Sequence, residues 1–278
     1  MNRLTRCLGL LLAAISSIAS AAPEVPPHLS PSGQNEFREF AEAPDHRAFA
    51  IAPGGAWGWA AGKASPQEAE DEAVAICQGQ TEQRCVMFAI DGRTVFDADA
   101  WSTLWRPYAT AAQARKAGFG RERGQRMHDL LFHDAAGRKH HLAALKGKVV
   151  VLHFWGAWCP PCRREMPELM NLRQSLADRP DVAFVLLQAR EKFAVSRQWA
   201  ENEGIALPLF DSGSTGDDDT QFRLANGKPI GDREIANRFP TTYVLDRYGI
   251  VVFSHVGPVS DWTQYERFLR DLARSAER

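Results

Sequence analysis

The sequence has little net charge, few cysteines and only one long apolar run. Its 33 basic and 34 acidic residues give a formal net charge of −1 over 278 residues, so it lacks the basic excess of a nucleic-acid-binding protein. Five cysteines are few for a disulfide-rich scaffold but enough for one or two specific pairs. After the N-terminal run, no apolar stretch approaches the ~20 residues of a transmembrane helix. A hydrophobic content of 45% excludes a disordered chain, and the length predicts two domains.

Residues 1–21 have the pattern of a secretory signal peptide. Two arginines precede an apolar stretch at 7–19, and Ala-Ser-Ala at 19–21 matches a small-x-small cleavage site. We expect cleavage after Ala21, which would also remove Cys7 and leave four cysteines in a compartment where disulfides persist. An uncleaved anchor helix is the alternative, and the short apolar stretch disfavours it.

The first half of the chain predicts a proline-rich linker at 22–32 and a small α+β domain at 33–109. Ser65 and Glu68 form a capping box around Pro66, which marks the start of a helix. This half contains neither a nucleophile with a base nor a phosphate-binding loop. The predicted elements are strands at 46–52, 56–60, 85–90 and 93–96 and a helix at about 66–77.

Two cysteines of this small domain are predicted to form a structural disulfide. Cys77 ends the predicted helix and Cys85 begins the next strand, and the chain-entropy model gives a loop this short about 2–3 kcal/mol. Free or reactive thiols are the alternative. Residues 110–127 contain five basic residues and predict a solvated linker or helix face, with an acidic partner less favoured. The domain boundary is placed there.

The second half carries the chemistry. Residues 148–155 have the β-branched, apolar composition of a buried parallel strand, and Cys159-Pro160-Pro161-Cys162 then opens a helix. At a helix N-terminus, free N–H groups and the helix dipole stabilise a thiolate. A thiolate attacks a partner's disulfide, and the second cysteine resolves the mixed disulfide. We therefore predict Cys159 as the exposed nucleophile and Cys162 as the more buried resolving thiol.

Three other uses of the cysteine pair compete with redox exchange. A zinc site needs two further ligands, and Cys77 with Cys85 does not repeat the CxxC unit. A purely structural bridge would close the shortest of loops, worth about 2 kcal/mol. A copper site would need a histidine, for which His255 is the nearest downstream candidate. The strand–turn–helix context favours redox exchange without a metal or cofactor.

The motif closely resembles a known family. Residues 154–162 (Phe-Trp-Gly-Ala-Trp-Cys-Pro-Pro-Cys) and 165–167 (Glu-Met-Pro) resemble exported thiol–disulfide oxidoreductases of the TlpA/ResA type. Residues 142–148 and 239–249 resemble the family's lead-in to its central strand and its cis-proline segment. The resemblance covers roughly 128–278. It implies a thioredoxin-like α/β domain, a mixed central sheet flanked by helices, behind the small α+β domain.

The resemblance also implies roles for individual residues. Pro240 is expected to be a cis-proline facing the cysteines, which would expose the backbone of Phe239 to an extended substrate peptide. His153 stands where relatives carry an acid or asparagine; relay of the Cys162 proton and a hydrogen-bonded core histidine are both left open. The predicted supporting residues of the active site are Trp158, Pro160, Pro161, His153, Phe239 and Pro240.

The remaining predictions concern the surroundings of this site. Residues 211–230 are longer than the family needs and predict a flexible surface insertion; Gly213 and Phe222 occupy positions where a calcium loop would need ligands. Pro167 matches a helix-kinking proline. The other predicted elements are helices at 163–177 and 261–276 and strands at 243–245 and 250–254.

The resemblance favours reduction of periplasmic protein disulfides, with a membrane thiol-electron transporter as the electron donor. The direction depends on the reduction potential, so a dithiol oxidase or isomerase is the alternative within this class. From another class, the alternative is a copper-binding or metal-delivery module.

Overall fold

The computed structural model describes residues 25–26, 28–216, 220–259 and 261–275. The predicted signal peptide at 1–21, with Cys7 and the expected cleavage site after Ala21, lies outside the described residues. Within the described ranges, no helix combines the length and the apolarity that crossing a bilayer requires.

The first structural unit is a small α+β fold, as predicted. Its four strands pair antiparallel in the order β2-β1-β3-β4, and their ends differ from the predicted ones by up to two residues. Its elements are helices α1 (Pro31–Glu42) and α2 (Pro66–Gln78) and strands β1 (Ala48–Ile51), β2 (Trp57–Ala60), β3 (Val86–Ile90) and β4 (Arg93–Thr94).

Helix α1 occupies a stretch where the sequence predicts none. It begins inside the expected linker, with the Ser30 hydroxyl accepting a hydrogen bond from the Gly33 N–H. Phe37 and Phe40, three residues apart on one face, are buried with Leu29. The linker prediction is therefore wrong from Leu29 onwards, because apolar side chains anchor this segment to the small sheet.

The basic stretch 110–127 is only partly a solvated linker. Helix α3 (Ala111–Lys116) carries exposed basic residues in its last turn, as a solvated helix face would. Arg123, however, donates to the Trp105 carbonyl, and Arg126 donates to the Tyr248 carbonyl. These two guanidinium groups hold the segment against both structural units.

The second unit is a mixed sheet flanked by helices, which confirms the predicted fold class. Within the described residues the sheet has nine strands in the order β11-β10-β5-β9-β8-β7-β12-β13, with β6 paired to β5. β7 pairs parallel with β8 and antiparallel with β12. The strands are β5 (Leu130–His133), β6 (Lys139–His141), β7 (Val149–Trp155), β8 (Val182–Gln188), β9 (Leu209–Asp211), β10 (Gln221–Leu224), β11 (Pro229–Gly231), β12 (Thr241–Leu245) and β13 (Val251–Val256). The helices are α4 (Pro160–Ser175), α5 (Phe193–Asn202), α6 (Asp232–Ile235) and α7 (Gln264–Arg274).

The core of this unit places the cysteine motif at one end of the central strand. All seven residues of β7 are buried. On one face the strand packs against α4 and α7, through residues such as Met166 and Phe268, and on the other against Phe222 and Tyr243. The motif follows directly on β7, and α4 opens at Pro160, three residues earlier than predicted, since prolines suit the first positions of a helix.

The expected flexible insertion at 211–230 is instead part of the sheet. β10 and β11 form a hairpin that pairs with β5. Phe222 is buried and lies with its ring centroid 5.3 Å from that of Phe154 in β7. The prediction of a flexible surface segment is wrong for these strands, because Phe222 and Ile230 supply an apolar face for the core.

The two units share a buried interface. The Trp105 ring stacks on Phe268 of α7 with centroids 4.0 Å apart. Arg106 and Tyr108 both donate to the carboxylate of Asp271, the Tyr108 hydroxyl at 2.8 Å. On the other side of the interface, the Gly54 N–H donates to the side chain of Gln264. The small unit is therefore packed against the second unit through a buried ring stack and a buried carboxylate.

Candidate active site

The two cysteines lie at the N-terminus of α4. Cys159 is the N-cap residue, and its sulfur accepts a hydrogen bond from the Cys162 N–H at 3.3 Å. The two sulfurs form a disulfide, with the Cα atoms 5.3 Å apart. Pro160 and Pro161 occupy the first two helical positions, where no N–H is needed. The Cys162 N–H and the helix dipole are therefore placed to stabilise negative charge on the Cys159 sulfur.

Cys159 is far less exposed than predicted. Only 2% of Cys159 and none of Cys162 is exposed in this disulfide-bonded state. Cys159 belongs to an apolar cluster with Ala157 and Val259, and the Phe239 ring packs against that cluster. The prediction of an exposed nucleophile is wrong for this state, so side chains over the sulfur must move before another protein's cysteine can reach it.

Trp158 and Phe239 form the rim of the site. The Phe239–Pro240 peptide bond is cis, and the Phe239 ring meets Trp158 edge to face with centroids 5.3 Å apart. Trp158 is 45% exposed, although its indole N–H donates to the Ala189 carbonyl at 2.9 Å. An exposed aromatic surface thus lies beside the cis-proline.

Arg190 completes this rim, and no motif in the sequence points to it. Its guanidinium lies 4.9 Å from the centroid of the Phe239 ring, within the range of a cation–π contact. The Asp232 carboxylate accepts a hydrogen bond from Arg190 Nε, and the Ser214 hydroxyl accepts one from the Arg190 backbone N–H. Residues on either side of the β10–β11 hairpin therefore fix the cation over the rim.

A buried acid and a buried histidine face each other behind the cysteines. His153 in β7 places Nδ1 2.9 Å from the Thr242 hydroxyl and Nε2 3.5 Å from Glu165 Oε1. Glu165 lies one helical turn after Cys162, and its Oε2 accepts a hydrogen bond from the Val259 N–H. Both side chains are almost fully enclosed.

The pair is neutral at neutral pH, although 3.5 Å is within ion-pair distance. Burial lowers the pKa of His153 to about 3. Burial also raises the pKa of Glu165 to about 8, against the opposing effect of the Val259 hydrogen bond. A carboxylic acid therefore faces an unprotonated imidazole, because neither charge is compensated in this apolar surrounding.

Glu165 is a candidate functional residue that the sequence-based prediction does not include among the supporting residues of the site. The available signal was its spacing: positions 162, 165, 166 and 169 follow one face of α4, and the others are apolar. An acid on the buried face of a helix, one turn from a reactive thiol, is a candidate for proton transfer. His153, in contrast, is too weak a base to accept a proton near neutral pH.

The described part of the chain contains no cluster of side chains that would support the alternative of a metal site. Across those residues, no three His, Cys, Asp or Glu side chains lie close enough to hold a metal ion. His255 lies near the carbonyl of Pro258, with its Nε2 3.3 Å from that oxygen. Cys77 and Cys85 form a disulfide with each other, with Cα atoms 6.2 Å apart.

Comparison with known proteins assigns the second unit to a family. The redoxin family model matches residues 122–269. Thioredoxin-like protein YneN of Bacillus subtilis is 31% identical over 159 residues, which are 57% of this chain and 84% of YneN. Thiol-disulfide oxidoreductase ResA of Geobacillus thermodenitrificans is 32% identical over 123 residues, 44% of this chain and 63% of ResA.

Among solved structures, the second unit is similar to a thiol:disulfide interchange protein of the thioredoxin family from Chlorobium tepidum. The match covers 54% of this chain and 97% of the Chlorobium chain, with 23% identity and a TM-score of 0.38. The family match leaves out residues 48–94, which contain the strands of the small sheet.

Proposed function

The chain belongs to the redoxin family, and we propose that it is an exported thiol–disulfide oxidoreductase of the TlpA/ResA type that reduces disulfides of periplasmic proteins. Cys159 carries the exchange, and Cys162 resolves it. The observation on which the proposal rests is a cysteine at a helix N-cap whose sulfur receives a backbone N–H, in a cluster against which Phe239 of the cis Phe239–Pro240 bond packs. The proposed division is a small domain at 29–109, which extends the predicted 33–109 to include all of α1, and an exchange domain at 128–278.

The reaction begins with the reduced pair. The Cys159 thiolate attacks one sulfur of the client disulfide, that S–S bond breaks, and the departing client sulfur takes a proton. Cys162 then loses its proton and attacks the Cys159 sulfur of the mixed disulfide. The second client sulfur leaves as a thiol, and the Cys159–Cys162 disulfide remains. Two electrons have passed to the client.

Glu165 is the proposed acceptor of the Cys162 proton. A general base works best when its pKa lies near the operating pH. Because the pKa of Glu165 is about 8, the ionised fraction of this carboxyl is the acceptor, and that fraction grows as the pH approaches 8. His153 holds the carboxyl from the side of β7 and acts as a positioning residue. Trp158, Phe239 and Pro240 are the proposed surface for the client backbone, and Pro160 and Pro161 fix the helix start.

Reduction requires a donor that restores the dithiol. We propose a membrane thiol-electron transporter, as the resemblance to the TlpA/ResA type implies. An oxidase would accept electrons from clients through the same two cysteines, and an isomerase would return its disulfide to the client. The equilibrium potential of the pair distinguishes these directions.

The test combines an activity assay with trapping. The reduced protein is expected to reduce insulin with dithiothreitol, and Cys159→Ala is expected to abolish that activity. Cys162→Ala is expected to accumulate mixed disulfides in the native host, since the resolving thiol is gone. Full activity of Cys159→Ala would refute the mechanism. A potential near that of strong oxidases, measured against glutathione, would refute the proposed direction while leaving the exchange chemistry intact.

A further inference from the structure

Strand β13 is the last strand of the large sheet, and its outer edge is only partly covered. At its start, the Val251 N–H donates to the Gln125 carbonyl, and the Val251 carbonyl accepts from the Gly124 N–H. These bonds pair the first residues of the strand with the segment that follows α3. Further along, no described strand lies next to β13 on that side.

The register identifies which backbone groups point outward. The Gly257 N–H donates to the Pro240 carbonyl, and Val256 lies opposite Thr241. In an antiparallel pair the inward bonds occur at every second residue, so 255 and 257 bond to the β12 side while Ser254 and Val256 face away from it. Among the described residues, the backbone N–H and carbonyl groups of Ser254 and Val256 have no hydrogen-bond partner on that side.

This free edge lines a cleft between the two structural units. The cleft has a volume of about 820 Å³ and is bounded by Ser30, Ser32 and residues 53–57, 78–82 and 254–258. The turn between β1 and β2 lies close to β13 here, since a Cβ on Gly54 would lie 3.2 Å from the Phe253 ring. Gly257 also lines the cleft, but its N–H bonds to the Pro240 carbonyl on the opposite, β12 side of the strand.

We infer that Ser254–Val256 is a docking edge on which an extended segment of the client polypeptide is added as a further strand. The inference rests on the proposed function, since the client is the substrate of Cys159. Two outward N–H groups and two outward carbonyls in a strand of regular pleat match the backbone of another strand and no compact ligand. The small unit contributes the opposite wall of the cleft.

The position of the edge specifies what it does for the reaction. Val256 lies opposite Thr241, and Thr241 lies opposite Phe154 near the end of β7, from which the cysteine motif follows. The Val256 end of the docking edge is therefore at the same end of the sheet as the cysteines, although β13 lies between an added strand and Pro240. Val256 is 47% exposed and offers an apolar side chain to such a strand. The docking edge thus lengthens the client contact beyond the reacting cysteine, which favours unfolded polypeptides over small disulfides.

The first test removes one outward donor. Val256→Pro deletes an N–H that takes no part in the β12–β13 ladder, and proline is tolerated on the free side of an edge strand. Val256→Ala keeps the N–H and is the matched control. We expect Val256→Pro to lower kcat/KM for insulin about tenfold while its rate with the small disulfide 5,5′-dithiobis(2-nitrobenzoate) stays within about twofold of that of Val256→Ala.

Equal insulin kinetics of the two variants would overturn the docking edge and leave the proposed function untouched. If the wild-type protein reacted with neither insulin nor the small disulfide, the proposed function would instead be refuted. The small-disulfide rate also reports whether the proline variant has kept its active-site fold.

The second test needs no substitution in the edge. Amide hydrogen exchange is measured on the mixed disulfide between Cys162→Ala protein and an unfolded, cysteine-containing peptide. The Ser254 and Val256 amides are expected to gain protection on peptide attachment. If peptide attachment gives these amides no added protection, the inference is overturned. Protection that is already present in the free protein also overturns it. In that case, protection that depends on protein concentration would show that a second copy occupies the edge, and protection that does not would show that a segment of the same chain occupies it.

Discussion

His153 Nε2 lies 3.5 Å from Glu165 Oε1 in a space that excludes water between β7 and α4. The Thr242 hydroxyl lies at the other ring nitrogen. With the proton on Nδ1 shared with Thr242, the lone pair on Nε2 faces the Glu165 carboxyl. With a pKa near 8 for the buried acid and near 3 for the buried imidazole, the proton stays on Glu165 at neutral pH, and Cys162, one helical turn away, must release a proton of its own.

Replacing the acid is expected to slow the second chemical step. Glu165→Gln keeps an oxygen for the Val259 N–H but cannot accept a proton. We expect the mixed disulfide to resolve about 10²-fold more slowly, and the inflection near pH 8 to disappear from the rate profile. Glu203→Gln, at an exposed position that follows α5, is the control. Stopped-flow decay of a preformed mixed disulfide measures the step, and an unchanged pH profile would exclude Glu165 as the base.

The same carboxyl is expected to make the oxidised protein less stable as the pH rises. The pKa of Glu165 is raised from 4.5 to about 8 in the folded state, so between these values the unfolded chain loses a proton that the folded chain keeps. The free energy of unfolding then falls with pH by at most about 1.4 kcal/mol per pH unit from this group. Denaturant titrations of wild type and Glu165→Gln between pH 5 and pH 8 measure the difference, which would be absent if Glu165 were ionised.

His153 is expected to act in the opposite direction at acidic pH. Its pKa is lowered from 6.5 to about 3 by burial, so below pH 6.5 the unfolded state takes up a proton that the folded state does not. Stability therefore falls as the pH drops from 6.5 towards 3. His153→Asn is expected to flatten this loss in denaturant titrations. A displaced pH 8 inflection in the exchange rate of His153→Asn would mark a positioning role, and an unchanged one a core histidine only.

Removing the cation above Phe239 is expected to open the rim. Arg190→Ala loses a cation–π contact of about 0.5–2 kcal/mol, which frees the Phe239 ring that packs against the Cys159 cluster. We expect the Cys159–Cys162 disulfide to react about three- to tenfold faster with a small thiol such as dithiothreitol. Arg197→Ala, a change on the exposed face of α5, is expected to have no effect. Equal rates in both variants would show that Arg190 does not keep the Phe239 ring packed against the Cys159 cluster.

The buried interface predicts that the two structural units unfold together. Trp105 is fully buried and stacks on Phe268, so Trp105→Ala should lower the free energy of unfolding by about 3–5 kcal/mol. Phe119→Ala, at a ring that is 63% exposed, should change it by less than about 0.5 kcal/mol. Calorimetry of the wild type should give one transition. Two separate transitions, with Trp105→Ala affecting neither, would contradict a common core.

Local patterns were sufficient for the elements that carry the chemistry. The apolar run of β7, the prolines after Cys159 and the spacing of the cysteine pair each depend on neighbours within a few residues, which is why the strand and the helix that follows the cysteine motif were predictable, although the helix starts three residues earlier than predicted. The same reasoning failed at α1 and at the β10–β11 hairpin. Their burial comes from partners far away in the chain: Phe37 packs against Phe49, and Phe222 against Phe154.

Residue order alone places a cysteine pair at a helix N-terminus, because adjacent residues specify the helix start and its first prolines. The surroundings of that pair depend on the folded chain. Enclosure lowered the exposed fraction of Cys159, shifted the pKa of Glu165 and His153 in opposite directions, and brought Arg190 over Phe239. Each of these depends on which distant side chains exclude water from one small volume, and desolvation cannot be read from residue order.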